Sequence, residues 1–348
     1  ACSLVRRGNA GADAPAWPLM ARLGTLAAAL LVGTMPAAAV DATVTATQIS
    51  QFKESAVGQA VDGLIFRGGI ALTSPDDTFG GLSGLTVTGP DQQVVFVTDR
   101  GHFVTGHLAY DDADTLFGFI GVTIEPLRNS GGEVLPRQYA RDAESVDTVL
   151  REGVPVAVRV GFEHLTRVAD FALTNGVPGG PAREIAIPEW LADRRTNETL
   201  ESVCIAPPAS PIAGSTLVLT EDYLDDSGNH RGWLLGQNDK GPIAYQNNPV
   251  VNPTECAFLP NGDLLVLERG VSMLTFVMNL RRVPAAEVRP DNLMVGELLL
   301  SASGGTIDNM ESLAVHTAPN GELRILIGSD NNFNDWQRSL LLEFALME

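Results

Sequence analysis

Nine acidic residues recur in this chain at a spacing that suits them to hold a cation together. A short pattern appears five times: Gly81-Leu-Ser-Gly-Leu-Thr-Val, Ala143-Glu-Ser-Val-Asp, Leu200-Glu-Ser-Val-Cys, Thr254-Glu-Cys-Ala-Phe and Met310-Glu-Ser-Leu-Ala-Val. Its anchor positions Ser83, Glu144, Glu201, Glu255 and Glu311 are 61, 57, 54 and 56 residues apart. An apolar run ending in a second acid follows each copy, at Asp99, Glu163, Glu221, Glu268 and Asp330. Oxygen-rich clusters of this kind suit a hard cation, and Ca²⁺ accepts six to eight oxygens in flexible geometry. Glu144, Glu201, Glu255, Glu311, Asp99 and Asp330 are therefore the candidate metal ligands, with Asn309, Asn331 and Asn332 as neutral donors. The competing expectation is structural: each Glu caps a neighbouring strand or pairs with Arg100, Arg141, Arg269 or Arg338.

A bound cation polarises an ester oxygen and lowers the pKa of water. Glu163 or Glu268 is then the candidate general base. Arg100, Arg269 and His164 directly follow the acids and are candidates to hold an anionic substrate. Strict strand alternation turns these basic residues to the face opposite the acids unless the strand has ended. His102 and His107 fall in the region after the first repeat and are expected at the surface.

The repeat itself dictates the elements that must position these groups. A period in this range signals a repeat architecture. Each copy reads as strand, tight turn, strand: Gly84–Thr88 then Val94–Thr98, with Gly89-Pro-Asp between, and Glu255–Leu259 then Asp263–Leu267, with Pro260-Asn-Gly between. Asn-Gly between two apolar runs is a strong hairpin signal. Further apolar runs supply outer strands, at 107–110, 117–124, 165–173 and 276–282. Four strands per unit of about 56 residues predict an all-β propeller of four-stranded blades. Five blades are expected, the last closed by strands from both ends of the chain (62–72 and 339–346). A sixth, degenerate blade within 40–80 or 101–143 is the alternative. The first strand of each blade lies nearest the axis, so the anchor acids converge at one mouth of the channel. Antiparallel pairing sets the end of the second strand beside the start of the first, which brings the second acids to the same mouth.

Composition narrows the function classes. The formal net charge of −19 disfavours nucleic acid, whose phosphates it repels. Residues 23–32 form a ten-residue apolar stretch after Met20-Ala-Arg22, followed by Pro36-Ala-Ala-Ala39. This reads as a secretory signal with cleavage near Ala39, too short to span a bilayer. The expected organisation is an upstream extension and signal over 1–39, then one propeller domain over 40–348, soluble, monomeric, and periplasmic or secreted. Cys204 and Cys256 lie at odd offsets from their Glu anchors, three and one, and so face the same side of their blades. Two buried free thiols are expected. No Gly-x-Ser-x-Gly elbow, phosphate-cradling Gly-x-x-x-x-Gly-Lys loop or zinc-ligand set occurs. The acidic segment 222–229 lacks EF-hand spacing and reads as a solvated hairpin tip. Trp190-Leu-Ala-Asp-Arg reads as a helical turn.

The chain resembles the family named for esterase-like activity of phytase. The stretches that carry the resemblance are FGGLSGL and FVTDRG, DAESVD with GFEH, LESVC, PTECAFLPNGDLLVLERG, and DNMESLAV with IGSDNNFNDWQRSLLLEFAL, which together span roughly residues 60–347. The resemblance implies a propeller-like fold, export, and hydrolysis of phosphate or other esters, with a small anionic ester as substrate. Two other readings stand beside it: a non-catalytic periplasmic binding propeller with a structural cation, and a lactonase-like hydrolase.

Overall fold

Alternating apolar residues bounded by turns build antiparallel sheets throughout this computed structural model, which describes residues 39–136, 138–193, 199–236 and 241–347. Four sheets have successive strands in chain order. The first contains 82–87, 93–98, 102–110 and 116–126, edged by 40–41; the second contains 143–151, 154–162, 167–174 and 177–185. The third contains 202–205, 216–224, 230–235 and 241–245, edged by the parallel pair 293–294, and the fourth contains 252–258, 264–272, 275–283 and 297–303. In the fifth, strands 309–317, 323–330 and 339–346 are completed by 64–73 from the N-terminal side, with 45–49 outside it.

The innermost strands pack in a closed circuit, 82–87 on 143–151, then 202–205, 252–258, 309–317 and back. The described residues thus form a five-bladed propeller whose last blade is closed from both ends of the chain. Segment 101–143 supplies the outer strands of blade one, and 40–80 supplies the closing strands, so neither forms a sixth blade. The segment expected to be a secretory signal lies outside the described residues, apart from Ala39.

Apolar faces of neighbouring blades form the core. Phe52, Phe66 and Phe344 meet at ring-centre distances of 5.1–5.7 Å, between the closing strands and the last blade. The Asn261-Gly262 hairpin turn forms as expected. Gly262 takes φ +92° and its N–H donates to the Leu259 carbonyl at 2.9 Å, a conformation glycine adopts without steric cost.

The innermost strands of blades one, two, four and five begin with a bulge, and the bulge fixes which residue faces the axis. In blade two Ala143 pairs with Phe162 and Ser145 with Gly161, leaving Glu144 as the extra residue and Glu163 just beyond the pair. Ser83 with Asp99, and Glu311 with Asp330, occupy the same places in blades one and five. In blade three Ser202 pairs with Leu219, setting Glu201 and Glu221 there. Blade four differs: Pro253 pairs with Glu268 and Glu255 with Leu267. The extra residue is Thr254, and the residue beyond the pair is Arg269. One residue of register moves a side chain to the other face, so blade four presents Thr254 and Arg269 where the other blades present Ser or Glu and an acid.

The same step corrects the expectation for the cysteines. Cys204 and Cys256 form a disulfide with Cα atoms 5.9 Å apart. Glu255 is the counterpart of Ser202, not of Glu201, so Cys256 points toward blade three while Cys204 points toward blade four. Adjacent innermost strands converge near the axis, and the two sulfurs meet between them.

Candidate active site and cation centre

Eight carboxylates from four blades share one electrostatic neighbourhood at the start of the innermost strands: Asp99, Asp142, Glu144, Glu163, Glu201, Glu221, Glu311 and Asp330. Taking charged groups out of water is costly, and like charges raise one another's pKa further. Burial first, then Asp142 and Glu311, push Asp99 up to about 7 against the pull of Arg100. Glu163 rises to about 8, chiefly through burial, although the Thr199 N–H donates to its Oε1 at 2.7 Å. Glu144, Glu201 and Asp330 rise well above the ordinary carboxylate range, and Asp142 also rises, in each case mainly through burial.

Positive charge is distributed unevenly around this group. Arg269 lies among the acids of blades three and five. Its Nη1 donates to Asn309 Oδ1 at 2.8 Å and lies 3.3 Å from Glu311, and its Nη2 lies 3.3 Å from Glu221. Asn309 in turn donates to Glu311 at 2.8 Å. On the side of blade two, Asp142, Glu144 and Glu163 bring carboxylate oxygens within 4.8 Å of one another, and among the described residues the imidazole of His164 lies 3.1 Å from Asp142. This trio is the best candidate cation cradle among the described residues: hard carboxylate oxygens from three side chains with no described guanidinium among them.

Beside it, at the rim of blade one, a cavity of about 300 Å³ is lined by Arg100, His102 and Arg141 together with Thr78 and apolar side chains. Arg100 lies 3.4 Å over the Phe333 ring with its side chain open to solvent. Arg141 is fixed by an Nε bond to the Leu135 carbonyl at 2.6 Å. Burial, then Arg141 and Arg100, hold His102 below its ordinary pKa, which keeps it a neutral hydrogen-bonding group. Asp99 borders this cavity in sequence. Its Oδ1 is buried and has no hydrogen-bond partner. Gly81, at φ +60°, makes the approach feasible, since a Cβ there would lie 2.1 Å from Asp99 Oδ1 and 2.2 Å from Phe333 Cε2. The Gly81 N–H and the Phe333 N–H both donate to Asn331 Oδ1, so Asn331 ties the loop of blade five to blade one.

Of the residues singled out in the sequence, Asp99, Glu144, Glu163, Glu201, Glu221, Glu311, Asp330 and Arg269 meet at the axial mouth, with Arg100 at its rim. Glu255 and Glu268 do not join them. Glu255 crosses the axis lower down: its Oε1 accepts from Ser145 Oγ at 2.8 Å and from the Cys256 N–H at 2.9 Å. Glu268 sits inside blade four, where Tyr245, Asn279 and Arg281 donate to it at 2.7, 3.1 and 3.0 Å. Three donors and burial hold that carboxylate inside the blade, away from solvent. Sequence reasoning missed Asp142 as part of the acidic group and Arg141 as a cavity residue. Both precede the Ala143-Glu144 strand by one or two positions, outside the five-residue motif used to align the blades. It also missed Thr254 as the bulge residue.

A family model described as "Phytase-like: Esterase-like activity of phytase" matches residues 77–333. The chain belongs to this phytase-like family. That match covers all five innermost strands and every residue of the axial acid group. No curated protein sequence matches the chain. Solved structures similar to this phytase-like chain include a glucose dehydrogenase, at 11% identity over 76% of this chain and 97% of the other with a TM-score of 0.41. The WD40 repeats of RRP9 are similar at 11% identity over 80% and 74%, with a TM-score of 0.36.

Proposed function

We propose that this phytase-like propeller is an exported, Ca²⁺-assisted hydrolase of small anionic esters, acting as a monomer at the axial mouth on the side of blades one and two. The observation that carries the reading is the juxtaposition of an acid trio, Asp142, Glu144 and Glu163, with Asp99 and with a cavity lined by Arg100 and Arg141, the chain neighbours of Asp99 and Asp142. The family description supports ester hydrolysis, and the Cys204–Cys256 disulfide supports an oxidising compartment.

Asp142, Glu144 and Glu163 hold the cation, which when bound supplies charge to polarise the ester and acidify water. Arg100 and Arg141 grip the anionic group through paired N–H donors. Asp99 is the general base, because a pKa of about 7 leaves its carboxylate available near neutrality while keeping it strong enough to take a proton. Glu201 and Glu311 set the local field, and Arg269 neutralises the far side.

The purified chain is assayed with p-nitrophenyl phosphate, bis(p-nitrophenyl) phosphate, p-nitrophenyl acetate and a γ-lactone, with Ca²⁺ or with chelator. Hydrolysis that requires Ca²⁺, falls roughly 100-fold or more in Asp99→Asn and survives Glu268→Gln supports the reading. Arg100→Ala raises KM for the phosphate esters and not for the acetate. Inactivity across the panel with Ca²⁺ present defeats it in favour of a binding propeller.

A further inference from the structure

A second cavity, of about 690 Å³, opens on the outer strands of blade three, a size suited to a small organic ligand. Its walls are two tryptophans. Trp190 comes from the helical turn Glu189–Ala192 and Trp233 from strand His230–Leu235. Their ring centres are 6.3 Å apart at 59°, and Trp190 also stacks on Tyr223 at 5.5 Å. Both indoles are half-buried and rest on the apolar cluster of Val168, Leu191 and Val218, so their remaining faces are held rigidly. Large aromatic faces left open to solvent carry a hydrophobic cost, and here two of them form an inside corner.

Polar groups ring that corner. Arg231 lies 4.7 Å over Tyr223 and 5.8 Å over Trp190, with Nη1 donating to the Tyr223 hydroxyl at 3.3 Å. Asp225 uses one carboxylate oxygen to cap its own turn, accepting from the Ser227 and Asn229 N–H groups. Asn292 donates its amide to the Glu287 and Leu293 carbonyls, which leaves its side-chain oxygen as an acceptor. Asn229 completes the lining.

We propose that this corner is a binding site for a neutral saccharide. A pyranose ring presents an apolar C–H face and an edge of hydroxyls that both donate and accept. The tryptophan corner matches the face; Arg231, Asp225, Asn229 and Asn292 match the edge with donors and acceptors together. Asp225, Asp226 and Asp291 beside the cavity, on a chain of net charge −19, disfavour an anion. Arg231, stationed over the aromatic faces, disfavours a cation. The site is built from side chains of blade three, of the turn before it and of the 291–293 segment, none of which takes part in the proposed hydrolysis, so either reading stands or falls alone.

Isothermal titration of the full chain with cellotriose, chitotriose and maltotriose tests it, with choline as the cationic control. A saturable heat with at least one trisaccharide at millimolar concentration is expected, weakened tenfold or more in Trp233→Ala and in Asn229→Ala. Melting temperatures are measured alongside. Should Trp233→Ala unfold, Asn229→Ala, at a hairpin tip, carries the comparison. No heat from any trisaccharide, heat that persists undiminished in the folded variants, or heat from choline alone overturns the proposal.

Discussion

Glu343 and Glu144 are both glutamates from core-facing strands, and their surroundings are opposite. Glu343, fully buried in blade five, accepts from the Tyr110 hydroxyl at 2.6 Å and His316 Nε2 at 2.9 Å, and pairs with Arg324 at 2.5 Å. Arg324, itself 2% exposed, also binds Glu322 and the Asp114 carbonyl. Charge and lone pairs are balanced there. Glu144 lies among Asp142, Glu163 and Glu311, and its surroundings raise its pKa instead of compensating its charge. Buried charge in proteins is normally paired or binds metal. The network around Glu343 is the first case; the axial mouth has the form of the second.

Breaking the balanced network should have the largest effect. Glu343→Ala leaves the Arg324 guanidinium buried beside a cavity, and losing one partner of a buried pair costs about 3–5 kcal/mol. Glu144→Gln should be close to neutral or stabilising in chelator, because burial and the neighbouring acids already favour the uncharged form of Glu144, which Gln matches in size. Urea unfolding of the two variants checks the contrast, and equal destabilisation would erase the distinction between the regions.

Cation binding comes next. Ca²⁺ at about 100 times its Kd should stabilise the protein by about 2.7 kcal/mol, seen as a rise in Tm that chelator reverses and that Glu144→Gln abolishes. Unchanged Tm with Ca²⁺ and with chelator would refute the cation centre.

A pH series sharpens the same contrast. Asp99 and Glu163 titrate at about 7 and about 8 in the folded chain and near 4 when unfolded. The folded state therefore binds more protons between these values, and the stability this supplies is present below pH 4 and lost as pH rises through 7 and 8. In chelator, Tm should fall between pH 5 and 8. Ca²⁺ should flatten that decline, since it takes the place of the protons. A Tm that climbs over this interval in chelator would mean the acids are compensated by groups other than protons.

How far the sequence revealed this arrangement depends on register. Blade count, the closure by 64–73 and 339–346, and seven axial acids follow from the 54–61-residue period and the alternation of apolar positions. Asp142 and Arg141 escaped because they precede the repeated motif; the failures in blade four share one cause. Aligning Glu255 with Glu201 sets Glu268 at the axis, hides Arg269 and turns Cys256 away from Cys204. The bulge falls instead at Thr254, and a bulge is a backbone event with no fixed residue signature. The disulfide is the internal check, since only the shifted register lets the two sulfurs face each other.

The register also predicts the smallest effect. Among the described residues Arg269 is the guanidinium that blade four's shift brings into the axial mouth, and it compensates Glu221 and Glu311 on the side away from Asp142, Glu144 and Glu163. Replacing it by Gln should have two modest and opposed consequences. Without cation the protein loses stability, as two acids lose their partner. The Ca²⁺ midpoint moves to lower concentration by a few-fold, because a positive charge acting through partly screened protein is removed from the vicinity of the site. Titration of Tm against Ca²⁺ for wild type and Arg269→Gln reads both at once. A midpoint that moves to higher concentration would make Arg269 a support of the cation cradle, and its location opposite the trio would then need a different explanation from charge balance.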